Sequence, residues 1–342
     1  MEAQIDLENL PALCRGVSFL GSGGGGDVKE LLPIVENMLR CHGPVPLISL
    51  NDLNDNDLVV AIELIGAPIP KSHHNDLNRF CFSSVLQYAL KDLKRTVRAL
   101  IPVEIGGGNA LAPLCVAGEM GFPILDGDLL GRAFPEIFMI STNIFGIMPS
   151  IAYIADPETG ETHTIECTSY EELEVKARSQ AVKHKTTAAI LIPIILTAQE
   201  AKKSVIPGTI RHSLLIGTKL NIQELTHSVQ GKVHATGIIE KWDYTITSGF
   251  LTGELIIRSD LGEILSINVK NEYLSLSLQG QVIVKAPDII SLLLSNTLSS
   301  VLSDQVSVGD EVICVSCKGP EIWYSEIGLR LTQLACFGDR LL

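Results

Sequence analysis

The stretch VSFLGSGGGGDVKELLPIVENML, residues 17–39, carries the pattern on which the fold of this chain depends. Val17 to Leu20 is a short apolar run that predicts a β-strand, and the amphipathic sequence from Val28 to Leu39 predicts an α-helix. Between them lies a glycine-rich loop, residues 21–27, that ends in Asp27. A strand, a glycine loop and a helix in this order are typical of an α/β protein.

Apolar runs and amphipathic stretches continue to alternate on either side of this stretch. Strands are predicted at 45–50, 58–64, 99–105 and 123–125, with helices at 82–93 and 109–120. The first domain, residues 1–165, is therefore predicted to be α/β, with a mostly parallel sheet and flanking helices. The second, residues 166–342, is helical at first and from about 230 carries short β-runs separated by turn residues, which predicts a barrel or sandwich-like β-domain.

The amino-acid composition limits the classes of binding partner that the chain is expected to have. The 342 residues contain 26 Lys and Arg against 39 Asp and Glu, so the formal net charge is −13, which disfavours nucleic acid and membrane surfaces. The longest apolar stretch, 188–198, is too short to span a bilayer. The N-terminal sequence MEAQIDLENL has acids where a secretory signal has bases, so a cytoplasmic location is expected. A small-molecule substrate is the expected partner, and a homo-oligomer is left open.

Three loops rich in glycine or acid fall at the predicted carboxyl ends of strands, where parallel sheets bind ligands. Their carboxylates, expected to converge, are Asp27, Glu104, Asp126, Asp128 and Glu136. Such a cluster supplies a general acid or base, or it holds a hard cation. Asp126 and Asp128 are the candidate ligands of a divalent metal, and any other cofactor is unknown.

Other residues of these loops are predicted to line a substrate site. The backbones of Gly24, Gly25, Gly107 and Gly108 can approach a ligand closely, and Asn109 stands beside them. Arg132 either holds a substrate carboxylate or pairs with Asp128 or Glu136.

The first glycine loop also matches G-x-G-x-x-G at Gly21, Gly23 and Gly26, and Asp52 follows a second predicted strand. This pattern indicates a dinucleotide site, so an NAD-dependent oxidoreductase is an alternative function. Asp27 argues against it, because a carboxylate at the start of the helix would repel a pyrophosphate.

The segments GSGGGGD (21–27), PVEIGGGNALAPL (102–114) and FPILDGDLLGRAFPE (122–136) resemble signatures of the S-methyl thiohydantoin desulfurase family. The sequences NE at 271–272 and PDII at 287–290 resemble that family's second domain. The resemblance implies an α/β domain followed by a β-rich domain. It also implies hydrolytic attack on a thiohydantoin- or hydantoin-like ring, at a C–S or C–N bond.

With this resemblance, Asp27 or Asp126 is expected to activate water and Glu104 or Glu136 to protonate the leaving group. Backbone N–H groups of residues 106–108, with Asn109, would stabilise the developing anion, and a divalent metal would assist. Asn271, Glu272 and Asp288 would complete the cleft from the second domain, because pockets favour domain interfaces.

One segment departs from the family pattern. After Gly66, Ala67 and Pro68, family members often carry a Glu-Lys pair, which the sequence IPKSHHNDLNRF lacks. A changed substrate, or a non-catalytic small-molecule-binding relative, is therefore a further alternative.

Overall fold

The structure is a computed structural model that describes residues 3–66, 80–91, 93, 95–156, 159–183, 188–247 and 249–337. The segment 71–79, which departs from the family pattern, lies outside the described residues. The helices are α1 (Leu10–Leu20), α2 (Val28–His42), α3 (Phe80–Lys91), α4 (Leu114–Met120), α5 (Ser141–Ile144), α6 (Tyr170–Lys183), α7 (Ala198–Ser204), α8 (Thr209–Gly217), α9 (Ile222–Ser228) and α10 (Glu326–Phe337). Within the described ranges, none is long and apolar enough to cross a membrane.

The strands form an N-terminal sheet, a two-stranded ribbon and a C-terminal sheet. In chain order they are β1 (Gln4–Ile5), β2 (Val45–Ile48), β3 (Leu58–Gly66), β4 (Val97–Pro102), β5 (Ile124–Leu125), β6 (Gly127–Asp128), β7 (Ile151–Ala155), β8 (Thr162–Glu166), β9 (Ala188–Ile192), β10 (Ile195–Thr197), β11 (Ile206–Pro207), β12 (Lys232–Thr247), β13 (Phe250–Ser259), β14 (Ile264–Lys270), β15 (Glu272–Leu278), β16 (Gln281–Lys285), β17 (Ile289–Leu294) and β18 (Glu311–Cys317).

The N-terminal sheet is mixed, not mostly parallel. Its order is β1-β2-β5-β4-β3-β9-β7-β8, with β10 also paired to β3. Only the β2–β5, β5–β4 and β4–β3 pairs are parallel. The other pairs are antiparallel, and of these β7 and β8 are joined by a connection too short for a parallel crossover. Strands β9 and β10 come after residue 166 and still belong to this sheet.

The predicted strand at Val17–Leu20 is wrong: these residues form the last turns of α1. Leu10, Leu13, Val17 and Leu20 are all buried and recur at helical spacing, so they present one apolar face to the core. The glycine-rich loop therefore joins two helices, α1 and α2, and does not follow a strand.

Strand β3 runs through the middle of the N-terminal sheet and is buried along most of its length. Its sequence LVVAIELIG is an apolar run, as expected for a strand with both faces covered. Buried apolar side chains form one core on each face of this sheet. Glu63 is the one charged residue in β3, which places a carboxyl group inside this packing.

The C-terminal sheet is an antiparallel half-barrel with the strand order β16-β15-β14-β13-β12-β18-β17. Its apolar side chains form a third core. Ile289–Leu294 pairs with β18 as a strand at the end of this sheet. The α/β class with a β-rich C-terminal part is confirmed.

Hydrogen bonds join the half-barrel to the glycine-rich loop. The N–H of Tyr273 donates to the carbonyl of Ser22 at 2.6 Å, and the N–H of Ser303 donates to the carbonyl of Gly23 at 2.8 Å. The Ser22 hydroxyl donates to the carbonyl of Ile290 at 2.8 Å. The loop is thus built into the junction between the two sheets.

Candidate functional site

Four glutamates lie buried near this junction and are electrostatically coupled: Glu104 to Glu63 and Glu272, and Glu63 to Glu174. Their exposed fractions are only 3% to 7%. We call Glu63, Glu104, Glu174 and Glu272 the carboxyl cluster. Glu63 lies in β3, three residues before the strand ends, and Glu104 follows the carboxyl end of β4, whereas Glu272 begins β15 of the half-barrel.

Asn109 connects Glu104 of the carboxyl cluster to the backbone of β3. Its Nδ2 donates to Oε1 of Glu104 at 2.7 Å. Its Oδ1 accepts from the N–H of Leu64 at 2.8 Å, so it also holds the β3 backbone next to Glu63. The second oxygen of Glu104 accepts from the N–H of Phe134 at 3.2 Å. Glu104 and Asn109, both predicted site residues, therefore lie together.

Glu272 reaches the cluster from the half-barrel and contacts the glycine-rich loop. A backbone hydrogen bond from Gly25 reaches its carboxyl group. The carbonyl of Gly25 in turn accepts from the N–H of Asn109 at 3.0 Å, and that of Gly26 accepts from the N–H of Gly108 at 2.8 Å. These two N–H groups of the second loop are therefore engaged, contrary to their predicted role on a developing anion.

Burial raises the pKa values of the cluster. Desolvation, with the charge of Glu174, raises the pKa of Glu63 to about 8. Desolvation raises the pKa of Glu272 to about 7 against the opposing effect of Arg132. The pKa of Glu104 is raised well above its ordinary value by burial and by Glu272. At neutral pH the cluster therefore holds both protonated and ionised carboxyl groups.

Two oxygens of the cluster are buried without a hydrogen-bond partner among the residues that the structure describes. They are Oε1 of Glu63 and Oε2 of Glu272. A buried carboxyl oxygen without a partner costs folding free energy, and such groups in a native protein call for a functional explanation. They are the two acceptors of the carboxyl cluster that the described residues leave unsatisfied.

Three predicted carboxylates have structural partners. Asp27 caps α2 by accepting from the N–H of Lys29 at 2.9 Å, and it accepts from Gln305 at 2.8 Å. Asp126 forms an ion pair with Arg211 at 3.2 Å. Asp128 accepts from three backbone N–H groups, those of Ile105, Leu130 and Gly131.

These contacts do not fit the predicted metal site. Asp128 uses Oδ2 to hold its own loop, and Asp126 is neutralised by Arg211. In the part of the chain that the structure describes, no group of three or more His, Cys, Asp or Glu side chains could hold a metal ion. The residues do not fit a dinucleotide either, because the loop follows a helix and Asp27 already occupies the N-terminus of α2.

Other predicted residues support the junction. Arg132 is fully buried and donates to the carbonyls of Ala133 at 2.8 Å and Tyr273 at 3.3 Å. Asn271 forms two hydrogen bonds with the backbone of Leu251. Glu136 forms an ion pair with Lys270 at the margin of the cluster.

Two members of the cluster were missed by sequence reasoning. Glu63 had a signal, since it is a single acid in an otherwise apolar central strand. Glu174 lies four residues before Arg178 on α6, a spacing that predicts an ion pair but not its burial.

Gly24 is a direct test of the contact with Glu272. A Cβ atom there would lie 2.0 Å from Oε1 and 2.7 Å from Cγ of Glu272. We expect Gly24→Ala to displace the Glu272 carboxyl group and to change its pKa, measured by ¹³C NMR titration.

Gly26→Ala is the control, because nothing lies within 4 Å of its Cβ position although φ is +82°. It should lower stability by about 1–2 kcal/mol and leave the Glu272 pKa unchanged. An unchanged Glu272 titration in Gly24→Ala would contradict the described contact.

The fold and the site define a two-domain protein, an α/β domain followed by a half-barrel, with buried carboxyl groups where the two meet. A family model described as S-Me-THD-like, N-terminal domain, matches residues 8–166, and one described as S-Me-THD-like, C-terminal domain, matches residues 168–341. The chain belongs to this S-methyl thiohydantoin desulfurase-like family, which confirms the resemblance found in the sequence.

The chain is also similar to a crystal structure of a protein from Chromobacterium violaceum, with a TM-score of 0.78 and 16% sequence identity. The match covers 97% of this chain and 96% of that chain. At this identity the similarity shows the fold alone. No curated protein matches the chain.

Proposed function

We propose that the chain hydrolyses the bond between C2 and sulfur in an S-alkylated thiohydantoin, releasing a thiol and leaving a hydantoin. The family supports the ring as substrate class. The observation that carries hydrolysis is the pair of buried, unpartnered oxygens on Glu63 and Glu272, whose pKa values are raised to about 8 and about 7. Acid–base catalysis is most effective with pKa values near the working pH.

The two residues take different roles in this proposal. Glu272, with the lower pKa, acts as the base: its ionised carboxylate removes a proton from water as the water oxygen bonds to C2. Glu63, with the higher pKa, stays protonated and gives its proton to sulfur as the C2–S bond breaks. Paired groups whose environments separate their pKa values are typical of such assignments.

Glu104 connects these two groups. Its carboxyl group is coupled to both Glu272 and Glu63 and accepts hydrogen bonds from Asn109 and Phe134. Burial and the charge of Glu272 raise the pKa of Glu104, which disfavours a second negative charge beside Glu272. After turnover Glu272 holds a proton and Glu63 lacks one, and exchange with water restores the starting state.

The test is incubation of the purified protein with an S-methylated thiohydantoin in ¹⁸O-water. We expect stoichiometric methanethiol, measured with a thiol reagent, and one ¹⁸O atom at C2 of the hydantoin product. A ring-opened product that retains sulfur would instead assign C–N hydrolysis. Binding of the ring without any hydrolysis would favour the non-catalytic alternative and overturn the proposal.

The rate should depend on pH as a bell-shaped curve. As pH rises through about 7, Glu272 ionises and kcat/KM increases. As pH rises through about 8, Glu63 loses its proton and kcat/KM decreases. Initial rates measured from pH 5.5 to 9.5 should therefore peak between these two values. The two apparent pKa values of the curve describe the coupled carboxyl cluster as a whole. A rate that is flat over this range would contradict the two-carboxyl mechanism.

A further inference from the structure

Arg178 is the cation of α6 that faces the carboxyl cluster, and its side chain is only 12% exposed. It forms an ion pair with Glu174, one turn earlier on the same helix, with the Nε–Oε1 distance at 2.5 Å. The other oxygen of Glu174 accepts from the N–H of Ile137 at 2.6 Å. The ion pair is thus buried and both oxygens of Glu174 accept hydrogen bonds, unlike those of an exposed helical ion pair.

The remaining donors of Arg178 reach three other segments. Nη1 donates to the carbonyl of Gly66, the last residue of β3, at 2.9 Å and to that of Gly249 at 3.5 Å. Nη2 donates to the carbonyl of Pro135 at 3.4 Å. The guanidinium also lies over the ring of Phe250, 4.2 Å from its centroid. One side chain therefore ties the end of β3 to α6, to the loop before Glu136 and to the turn before β13.

We infer that Arg178 is a positioning residue that anchors the end of β3, which carries Glu63, to α6 and supplies the positive charge beside the carboxyl groups of the proposed mechanism. Its fork of N–H donors fixes the β3 backbone three residues beyond Glu63, and its charge acts on that carboxyl group and on Glu272. Arg is suited to this role because it stays charged when buried and its donors have fixed directions. The inference rests on the proposed function only for its effect on turnover.

The charged groups around Glu63 determine the direction of the effect. Glu174 on α6 raises the pKa of Glu63 and Arg178 lowers it, and Arg178 also lowers the pKa of Glu272. The carboxyl group of Glu104, which follows β4, is electrostatically coupled to those of Glu63 and Glu272. The other charges packed nearby are Arg132, beside Glu272, and the Glu136–Lys270 ion pair, whose lysine lies over the Phe250 ring. Loss of Arg178 therefore removes a cation and leaves Glu174 unneutralised, and both changes raise the pKa of Glu63.

The experiment is a ¹³C NMR titration of the glutamate carboxyl carbons in the full chain, with Glu63→Gln and Glu272→Gln used to assign the signals. Arg178→Met should raise the Glu63 midpoint by about one pH unit or more and move Glu272 in the same direction. Glu174→Gln keeps the side-chain shape and should lower the Glu63 midpoint. Arg258→Met, at an exposed ion pair with Glu240, is the matched control and should move neither.

The outcomes separate this inference from the proposed function. Midpoints that do not move in Arg178→Met, or that do not fall in Glu174→Gln, overturn the role of Arg178 even if the wild-type protein is an active hydrolase. If Arg178→Met does not fold, Glu174→Gln alone decides. Shifted midpoints in a protein that hydrolyses no thiohydantoin support the inference and overturn the function. In an active protein, the pH optimum of Arg178→Met should move up with the midpoints, whereas Arg178→Lys, which keeps the charge and loses the fork of donors, should shift it less.

Discussion

Glu272→Gln is expected to lower the hydrolysis rate by about a thousandfold, within the range that acid–base groups contribute. The amide has nearly the same shape as the carboxyl group, but it cannot take a proton from water. The hydrogen bond from Gly25 and the close approach of Gly24 can remain, so the loss would come from chemistry and not from misplacement. Single-turnover measurement of methanethiol release tests this directly.

The effect of Glu272→Gln on the free energy of unfolding provides a separate check on this buried carboxyl group. The pKa of Glu272 rises from 4.5 unfolded to about 7 folded, a difference of about 3 kcal/mol. The folded wild type therefore loses stability as pH rises from about 4.5 to about 7, because only the unfolded chain ionises this carboxyl group in that range. Relative to wild type, Glu272→Gln should gain about 3 kcal/mol between pH 5 and pH 9 in urea unfolding.

The matched control is Glu254→Gln, an exposed glutamate on the neighbouring part of the half-barrel. It should keep the wild-type rate and the wild-type dependence of stability on pH. An active Glu272→Gln protein would remove the proposed base. An inactive one with no change in the pH dependence would place the defect elsewhere than in this buried carboxyl group.

The pattern of apolar and polar residues was sufficient to predict the fold class and the residues at one edge of the candidate site. Alternation of apolar strands and amphipathic helices led to the parallel strands β3, β4 and β5, whose carboxyl ends share an edge. Glu104 and Asn109 follow β4 in the chain, so their position at that edge could be predicted. The antiparallel strands β7 to β10 could not, because pairing direction depends on connections that the apolar pattern does not record.

The interpretation of the first glycine loop shows a different limit. VSFL is short enough to fit either a strand or the end of a helix, and the match to G-x-G-x-x-G made the strand more attractive. The helix requires Leu10 and Leu13 to be read with Val17, over a longer window. The glycines then serve close packing of the loop against Glu272 and the second glycine loop.

The predicted carboxylates could not be ranked from sequence, since an acid after a strand is also suited to capping and pairing. Asp27 and Asp128 satisfy backbone N–H groups, and Asp126 pairs with an arginine that lies 85 residues further along the chain. Glu63 belongs to the cluster because its strand is covered on both faces. Burial of that kind depends on long-range packing. It raises the pKa of Glu63 and leaves Oε1 without a hydrogen-bond partner among the described residues.

Glu63→Gln is the sharpest test of the acid role, because its effect should depend on the leaving group. With the S-methyl substrate we expect about a hundredfold loss in kcat, since methanethiolate is a poor leaving group without a proton. With an S-(4-nitrophenyl) analogue, whose thiolate leaves without protonation, the variant should approach the wild-type rate. The decline of the rate above about pH 8 should also disappear, because the group that loses its proton there is gone.

Glu272→Gln provides the contrast within the same assay. A base must activate water whatever the leaving group, so that variant should be impaired with both substrates. Equal losses for Glu63→Gln with the two substrates would contradict the acid assignment and indicate that Glu63 affects the site through its charge alone. Rescue by the aryl thiolate leaving group in Glu63→Gln, without rescue in Glu272→Gln, would assign Glu272 to proton removal from water and Glu63 to protonation of sulfur.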